Sequence, residues 1–249
     1  MTYLLYILAL SVIFNLLMYA IAYFLQTDKI TDISYSATFA AIAIAAYTYS
    51  EQQFMDQLIL MMVVLWAIRL GGYLLYRVMK IGHDDRFNEI RNNPLSFLFF
   101  WIMQGLTCAI VSFAFVQVLQ ATNKEVDSLF ILGIVLAALG WLIETIADAQ
   151  KFKFKQANPK EFMNQGLWRK LRHPNYTGEL MFWWGLFIAS LPYVDNVFIA
   201  LLSPIWISLI IIKFSGIRIL QNKWQETYGD RPDYQAYVAQ SWRLIPYVY

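Results

Sequence analysis

The chain has 249 residues, 59% of them hydrophobic and 14% charged, where a soluble globular domain carries about 25% charged residues. That composition excludes an ordinary soluble enzyme and points to an all-α, polytopic membrane protein. The formal charge of +2 says little, because a membrane chain is read by where its charges sit. Cys108 is the only cysteine, which excludes an internal disulfide and a cysteine-held zinc.

Apolar runs of roughly 17 to 25 residues mark bilayer spans. They fall near 3–25, 33–49, 58–79, 95–119, 129–149, 179–191 and 197–213, so about seven transmembrane helices are expected. The first run lacks a basic leader and a small-residue cleavage site, so it reads as a retained helix. With seven spans, 17 of the 19 Lys and Arg residues fall on one side. By the positive-inside rule that side is cytoplasmic, with the N-terminus outside and the C-terminus inside. Lys124 falls on the opposite side and Arg69 lies within a span. The polar pieces near 80–94, 150–178 and 214–249 are too short for a core of their own, so the chain reads as one membrane domain, 1–249, with a small cytoplasmic cap.

Asp32 opens the second span and Arg69 sits within the third. Ionisable groups at such depth cost about 2.5–3.5 kcal/mol and are functional candidates by default. A structural Asp32–Arg69 ion pair, or an interfacial helix cap at Asp32, is the plainer account. Gly71 and Gly72 suit the close approach of a helix or a ligand. The loop "KIGHDDRFNEIRNN" follows and reads as a solvated charged segment.

In "ETIADAQKFKFK", Glu144, Asp148, Lys151 and Lys155 recur at i, i+4, i+7 and i+11, one face of a helix. Like charges at i, i+4 disfavour a solvated helix by a few tenths of a kcal/mol. Acids toward the membrane with bases beyond them suit a ligand that carries hydroxyls and phosphates. A charged helix end snorkelling to the surface is the alternative. Downstream, "LRHPNYTGEL" sets Pro174 against His173 and places Asn175 or Thr177 to cap a helix beginning at Gly178–Glu179. The N–H groups of that first turn, with Arg169, Lys170 and Arg172 just before it, form a ready anion site. Cations that only obey the positive-inside rule are the competing account.

His83 and His173 are the only histidines, and no acid or cysteine cluster accompanies them at metal-ligand spacing, so no metal is expected. No dinucleotide fingerprint, phosphate loop or serine elbow is present, and no nucleic-acid partner is expected.

Together "DISYS", "WAIRLGGYLLYR", "GHDDRF", "ADAQKFKFK", "GLWRKLRHPNYTGELMFWWG", "SPIWISLIIIKFSGIRIL" and "YQAYVAQSWRLIPYVY" resemble the bacterial branch of the steroid 5α-reductase and sterol C14-reductase superfamily. These are integral membrane enzymes that reduce carbon–carbon double bonds with NADPH. The resemblance implies that Asp148, Lys151, Lys155, Asn175, Arg218 and Tyr228 contact NADPH and that Asp32 orients the substrate's polar group. It places cofactor binding in the C-terminal half, about 127–249, of a protein of the bacterial inner membrane. The Arg-His-Pro-x-Tyr-x-Gly piece is also similar to isoprenylcysteine carboxyl methyltransferases, which bind S-adenosylmethionine. The chain lacks the adjacent glutamates those enzymes tend to carry late in the sequence. One departure concerns the reductases: Gln221-Asn222 stands where relatives carry an acid, and an amide cannot deliver a proton of tunable pKa.

The expected activity is therefore reduction of a double bond in a lipophilic, enone-like or isoprenoid substrate that enters from the bilayer. Glu144, Asp148, Lys151, Lys155, Arg172, His173, Asn175, Tyr176, Arg218 and Tyr228 would hold the cofactor. Asp32, protonated through desolvation, and second Tyr73 would stabilise the enolate oxygen. The alternatives are a lipid-directed carboxyl methyltransferase and a non-enzymatic protein whose charged stripe meets lipid headgroups.

Overall fold

The computed structural model describes residues 2–81, 90, 92–122, 124–214 and 216–245. The loop histidine His83 and its neighbours Asp84, Asp85 and Arg86 lie outside the described residues. Nine α-helices are described: α1 Thr2–Phe24, α2 Thr31–Thr48, α3 Phe54–Ile81, α4 Pro94–Gln120, α5 Ser128–Ala157, α6 Pro174–Ser190, α7 Val197–Leu209, α8 Ile217–Tyr228 and α9 Pro232–Gln240. Among the described residues the only β-pairing is an isolated parallel bridge between Leu171 and Trp242.

Among the described residues, five stretches are long and apolar enough to cross a membrane: Tyr3–Phe24, Phe54–Lys80, Pro94–Gln120, Ser128–Ala157 and the run Val197–Tyr228. The protein is thus an integral membrane protein. The other two expected spans fall short on length or composition. At a rise of 1.5 Å per residue, the 17 residues of α6 reach about 26 Å against a hydrocarbon core of about 30 Å. In α2, Asp32 and the buried hydroxyls of Thr31, Ser34, Ser36 and Thr38 dilute the apolar signal.

The chain divides into two compact units, Met1–Phe130 with Ala189–Ser203, and Ile131–Ile188 with Pro204–Tyr249. In the first unit α1 packs on α4, and α2 packs on α3 and α4. Hydrocarbon offers no hydrophobic drive for this association, so close contact and interhelical hydrogen bonds must supply it. Gly105 supplies the contact: a Cβ there would sit 3.1 Å from the Val12 backbone. Asn15 supplies the hydrogen bonds. Its amide donates to Ser11 O at 2.9 Å and Thr38 Oγ1 at 3.1 Å, and its oxygen accepts from Gln104 at 2.9 Å. Lys124 is not the bystander its place in the sequence suggests: its ammonium lies 3.1 Å from Asp56, with both side chains fully buried.

The second unit is organised by glycines where α5 meets α6. A Cβ on Gly140 would stand 2.5 Å from the Gly178 carbonyl oxygen, and one on Gly185 would stand 2.5 Å from Ala137 N. These helices touch backbone to backbone, an approach any larger side chain would prevent. Gly178 therefore serves α5 rather than a ligand.

The loop after α5 folds back on that helix. Gly166, at φ +58°, turns the chain so that Leu167 N donates to Gln150 Oε1 at 3.0 Å and Trp168 Nε1 donates to Ala147 O at 2.9 Å. The C-terminal segment then straps the same loop. Arg172 N donates to Trp242 O at 2.8 Å and Trp242 N to Lys170 O at 2.9 Å. Thr177 Oγ1 donates to Leu244 O at 2.6 Å.

Candidate functional site

Helix α6 begins at Pro174, about a turn before the Gly178–Glu179 start expected from the sequence. Proline tolerates the first helical position, where its missing N–H is no loss. Asn175 and Thr177 are accordingly first-turn residues and not caps, which leaves their side chains for other partners. Thr177 takes the tail carbonyl of Leu244. Asn175 Oδ1 is buried with no partner among the described residues.

His173 stands immediately before this helix and is 0% exposed. Its ring is stacked on Trp224, with centroids 5.2 Å apart and 8° between planes, and on Tyr176 at 5.8 Å and 23°. Neither ring nitrogen has a partner among the described residues. Burial, and then the positive charges of Lys151, Arg172 and Arg243, lower its pKa to about 3, so it is neutral at ordinary pH. Unsatisfied buried polar atoms cost about 1–3 kcal/mol each. Three of them within three residues mark a place that a polar ligand would relieve.

Trp224 also meets Lys151, whose ammonium lies 5.2 Å from that indole and 4.7 Å from Trp168. A cation between two indoles keeps its charge while its stem is buried. One turn on, Lys155 Nζ donates to the Tyr228 hydroxyl and the Pro159 carbonyl, both at 3.3 Å. The acids of the same stripe, Glu144 and Asp148, are 2% and 6% exposed. The helical face read from the sequence is thus a real face of α5: its acids are buried and its bases lie against aromatic rings.

Arg172 reaches α9, donating from Nη1 to Val238 O at 2.9 Å. Arg218 stands exposed in the first turn of α8, whereas Ile217, Gln221, Trp224 and Tyr228 form the less exposed stripe of that helix at i, i+4, i+7 and i+11. Of the amide pair that departs from the resembled family, Gln221 is therefore on the Trp224 face, and Asn222 is exposed. A π-helical turn, Ile210–Phe214, precedes α8; such bulges concentrate at functional sites.

In the first unit, Asp32 lies 3.8 Å from Arg77, two helical turns beyond Arg69. The guanidinium carbons of Arg69 and Arg77 both sit 6.0 Å from the Tyr73 ring. Asp32 and Tyr73 thus belong to one polar cluster, assembled through Arg77. With the Asp32 side chain 24% exposed beside a guanidinium, the setting is that of an ion pair and not of an enclosed carboxyl. Of the glycine pair, a Cβ on Gly71 would stand 3.0 Å from Ser36 Cβ of α2, and one on Gly72 would meet open space.

Sequence reasoning passed over Trp168, Trp224 and Tyr237. For Trp224 a signal existed in the amphipathic spacing of α8. Trp168 and Tyr237 become site residues only when the 158–172 loop closes on α5 and α9.

No curated protein and no solved structure matches the chain. A family profile described as "Protein of unknown function (DUF1295)" matches residues 18–241. That stretch takes in the polar cluster of α2 and α3 and the whole cation–aromatic stack, and the chain belongs to the DUF1295 family.

Proposed function

We propose that this protein is a membrane-embedded, NADPH-dependent reductase of a carbon–carbon double bond in a lipophilic substrate. The observation that carries the reading is the stack Lys151–Trp224–His173–Tyr176, with unpartnered polar atoms on His173 and Asn175 beside it. The membership in a steroid 5α-reductase-like group supports it. So does the charge distribution: Lys and Arg concentrate in the polar segments that carry the stack, and by the positive-inside rule such segments face the cytoplasm, which holds soluble cofactor.

The residues fit the cofactor's chemistry. Lys151, Lys155, Arg172 and Arg218 supply positive charge for phosphates. Asp148 and Glu144 accept from ribose hydroxyls, and Tyr228 is anchored by Lys155. Asn175 and neutral His173 offer uncharged donors and acceptors that suit a carboxamide or a ribose. When bound, NADPH supplies the hydride. The aromatic side chains of Trp224, Trp168 and Tyr176 would exclude water from a cofactor held there. The resemblance assigns orientation of the substrate's polar group to Asp32, which in the first unit shares a polar cluster with Arg77 and Tyr73.

A thermal-shift measurement on detergent-purified protein tests this reading. NADPH should raise the midpoint, with S-adenosylmethionine silent. Stabilisation by S-adenosylmethionine alone would replace the reading with a methyltransferase, and stabilisation by neither would point to a non-enzymatic role in lipid contact.

A further inference from the structure

A groove of about 340 Å³ opens in the second unit, lined by Asn164, Arg169 and Lys170 from the loop after α5 and by Asp233, Tyr237 and Gln240 from α9. That volume is at the lower end of the range of about 300–1,000 Å³ for ligand pockets. It suits a fragment such as a phosphorylated sugar and not a whole dinucleotide.

The groove is built on fixed backbone. Tyr237 donates its hydroxyl to Trp168 O at 2.6 Å, and Lys170 O accepts from Trp242 N at 2.9 Å. Arg169 and Lys170 have no acidic partner among the described residues, and both are exposed. The one carboxylate in the lining is already committed: Asp233 accepts from Arg231 at 2.8 and 3.1 Å, and Arg231 also holds Glu161 at 2.7 Å. Counting Arg169, Lys170 and Arg231 against Asp233 and Glu161, the groove keeps one net positive charge, and the amides of Asn164 and Gln240 add neutral donors. A guanidinium beside an ammonium is a phosphate-binding chemistry, the first bidentate and the second a point charge.

The groove adjoins the cation–aromatic stack through one residue. The indole of Trp168 lies against Lys151, while its carbonyl accepts from Tyr237 of the groove. We propose that this groove receives the 2′-phosphate of the adenosine half of the dinucleotide, with Arg169 and Lys170 as the residues that select the phosphorylated cofactor over its unphosphorylated counterpart. The inference rests on the reading of the stack as a pyridine dinucleotide site. The 2′-phosphate is a dianionic monoester on a ribose, and the groove offers the size and the surplus charge that monoester needs.

The test is calorimetry on the full-length, detergent-purified protein with NADPH, NADH, 2′,5′-ADP and 5′-ADP as probes. The wild type should bind NADPH over NADH, and 2′,5′-ADP over 5′-ADP, by about tenfold or more, as expected for charge-assisted contacts worth a power of ten each. In the double variant Arg169→Ala/Lys170→Ala both preferences should collapse, with NADH affinity unchanged. Lys160→Ala, which removes an exposed charge from the same loop outside the groove, should leave the preferences intact. A preference that survives in the double variant, or a wild type that does not distinguish 2′,5′-ADP from 5′-ADP, overturns the inference while dinucleotide binding stands. Glycerol phosphate binding as tightly as 2′,5′-ADP, and lost in the double variant, would assign the groove to a lipid headgroup and also overturn it. Absence of heat with all four nucleotides would instead sink the dinucleotide reading itself.

Discussion

The rings of Trp224 and His173 lie 5.2 Å apart, with 8° between the two planes, and the same indole lies 5.2 Å from the ammonium of Lys151, so that it touches both a neutral buried histidine and a cation. Trp224→Ala removes both contacts at once. It should cost about 2 kcal/mol of stability through lost aromatic packing and weaken NADPH binding at least tenfold, whereas Trp224→Phe should retain most of both. Melting curves and NADPH titrations of the two variants check this, and equal binding by wild type and alanine variant would remove the stack from the site.

The His173 environment sets a pH dependence of known sign. Its folded pKa, about 3, lies below its unfolded value of about 6.5. The unfolded chain therefore takes up the proton first, and stability falls as pH drops below about 6.5. The slope from this one group approaches about 1.4 kcal/mol per pH unit. Between pH 7.5 and 5, before the carboxylates titrate, the wild-type melting temperature should fall, and His173→Gln should flatten that fall. A variant with the wild-type slope would place the titration elsewhere.

Lys151→Ala with Lys155→Ala removes two cations of the α5 stripe. NADPH affinity should drop by about a hundredfold or more, given that each charged contact is worth about 1.5–3 kcal/mol, with Lys160→Ala as the silent comparison. Calorimetry reads the difference directly.

Lys124 is unsuited to be that comparison. Its ammonium and the Asp56 carboxylate are fully buried 3.1 Å apart, so Lys124→Ala strands a charge and should destabilise by about 3–5 kcal/mol. Asp56→Leu combined with Lys124→Met should recover most of that loss, because paired burial of charge is scarcely better than apolar packing. A chemical-denaturation cycle over wild type, Asp56→Leu, Lys124→Met and the double variant shows whether the coupling is present.

At Gly178 the added methyl of alanine would stand 2.6 Å from the backbone nitrogen of Glu144. Gly178→Ala should force α5 and α6 apart at a cost of about 1–3 kcal/mol or more and displace Glu144 from its buried position. Gly72→Ala, where nothing lies within 4 Å, should be neutral or slightly stabilising. Thermal melts of the pair distinguish a packing glycine from an incidental one.

What the chain's residues settled by themselves is periodic or compositional. The apolar runs marked the five long spans, because a bilayer demands about 20 apolar residues per crossing. The i, i+4, i+7, i+11 spacing placed Glu144, Asp148, Lys151 and Lys155 on one face of α5, because 3.6 residues per turn is a property of the backbone. Partnership is another matter. That Asp32 lies beside Arg77, that Lys124 is buried against Asp56, and that Gly178 serves α5 all depend on which helix lies alongside which, and single-chain spacing holds no record of it. The stack itself joins residues 151, 168, 173 and 224, brought together by loop closure and by the strap of the C-terminal segment. Only tertiary packing decides contacts of that range, since their energy comes from excluding water and lipid between surfaces that are distant along the chain.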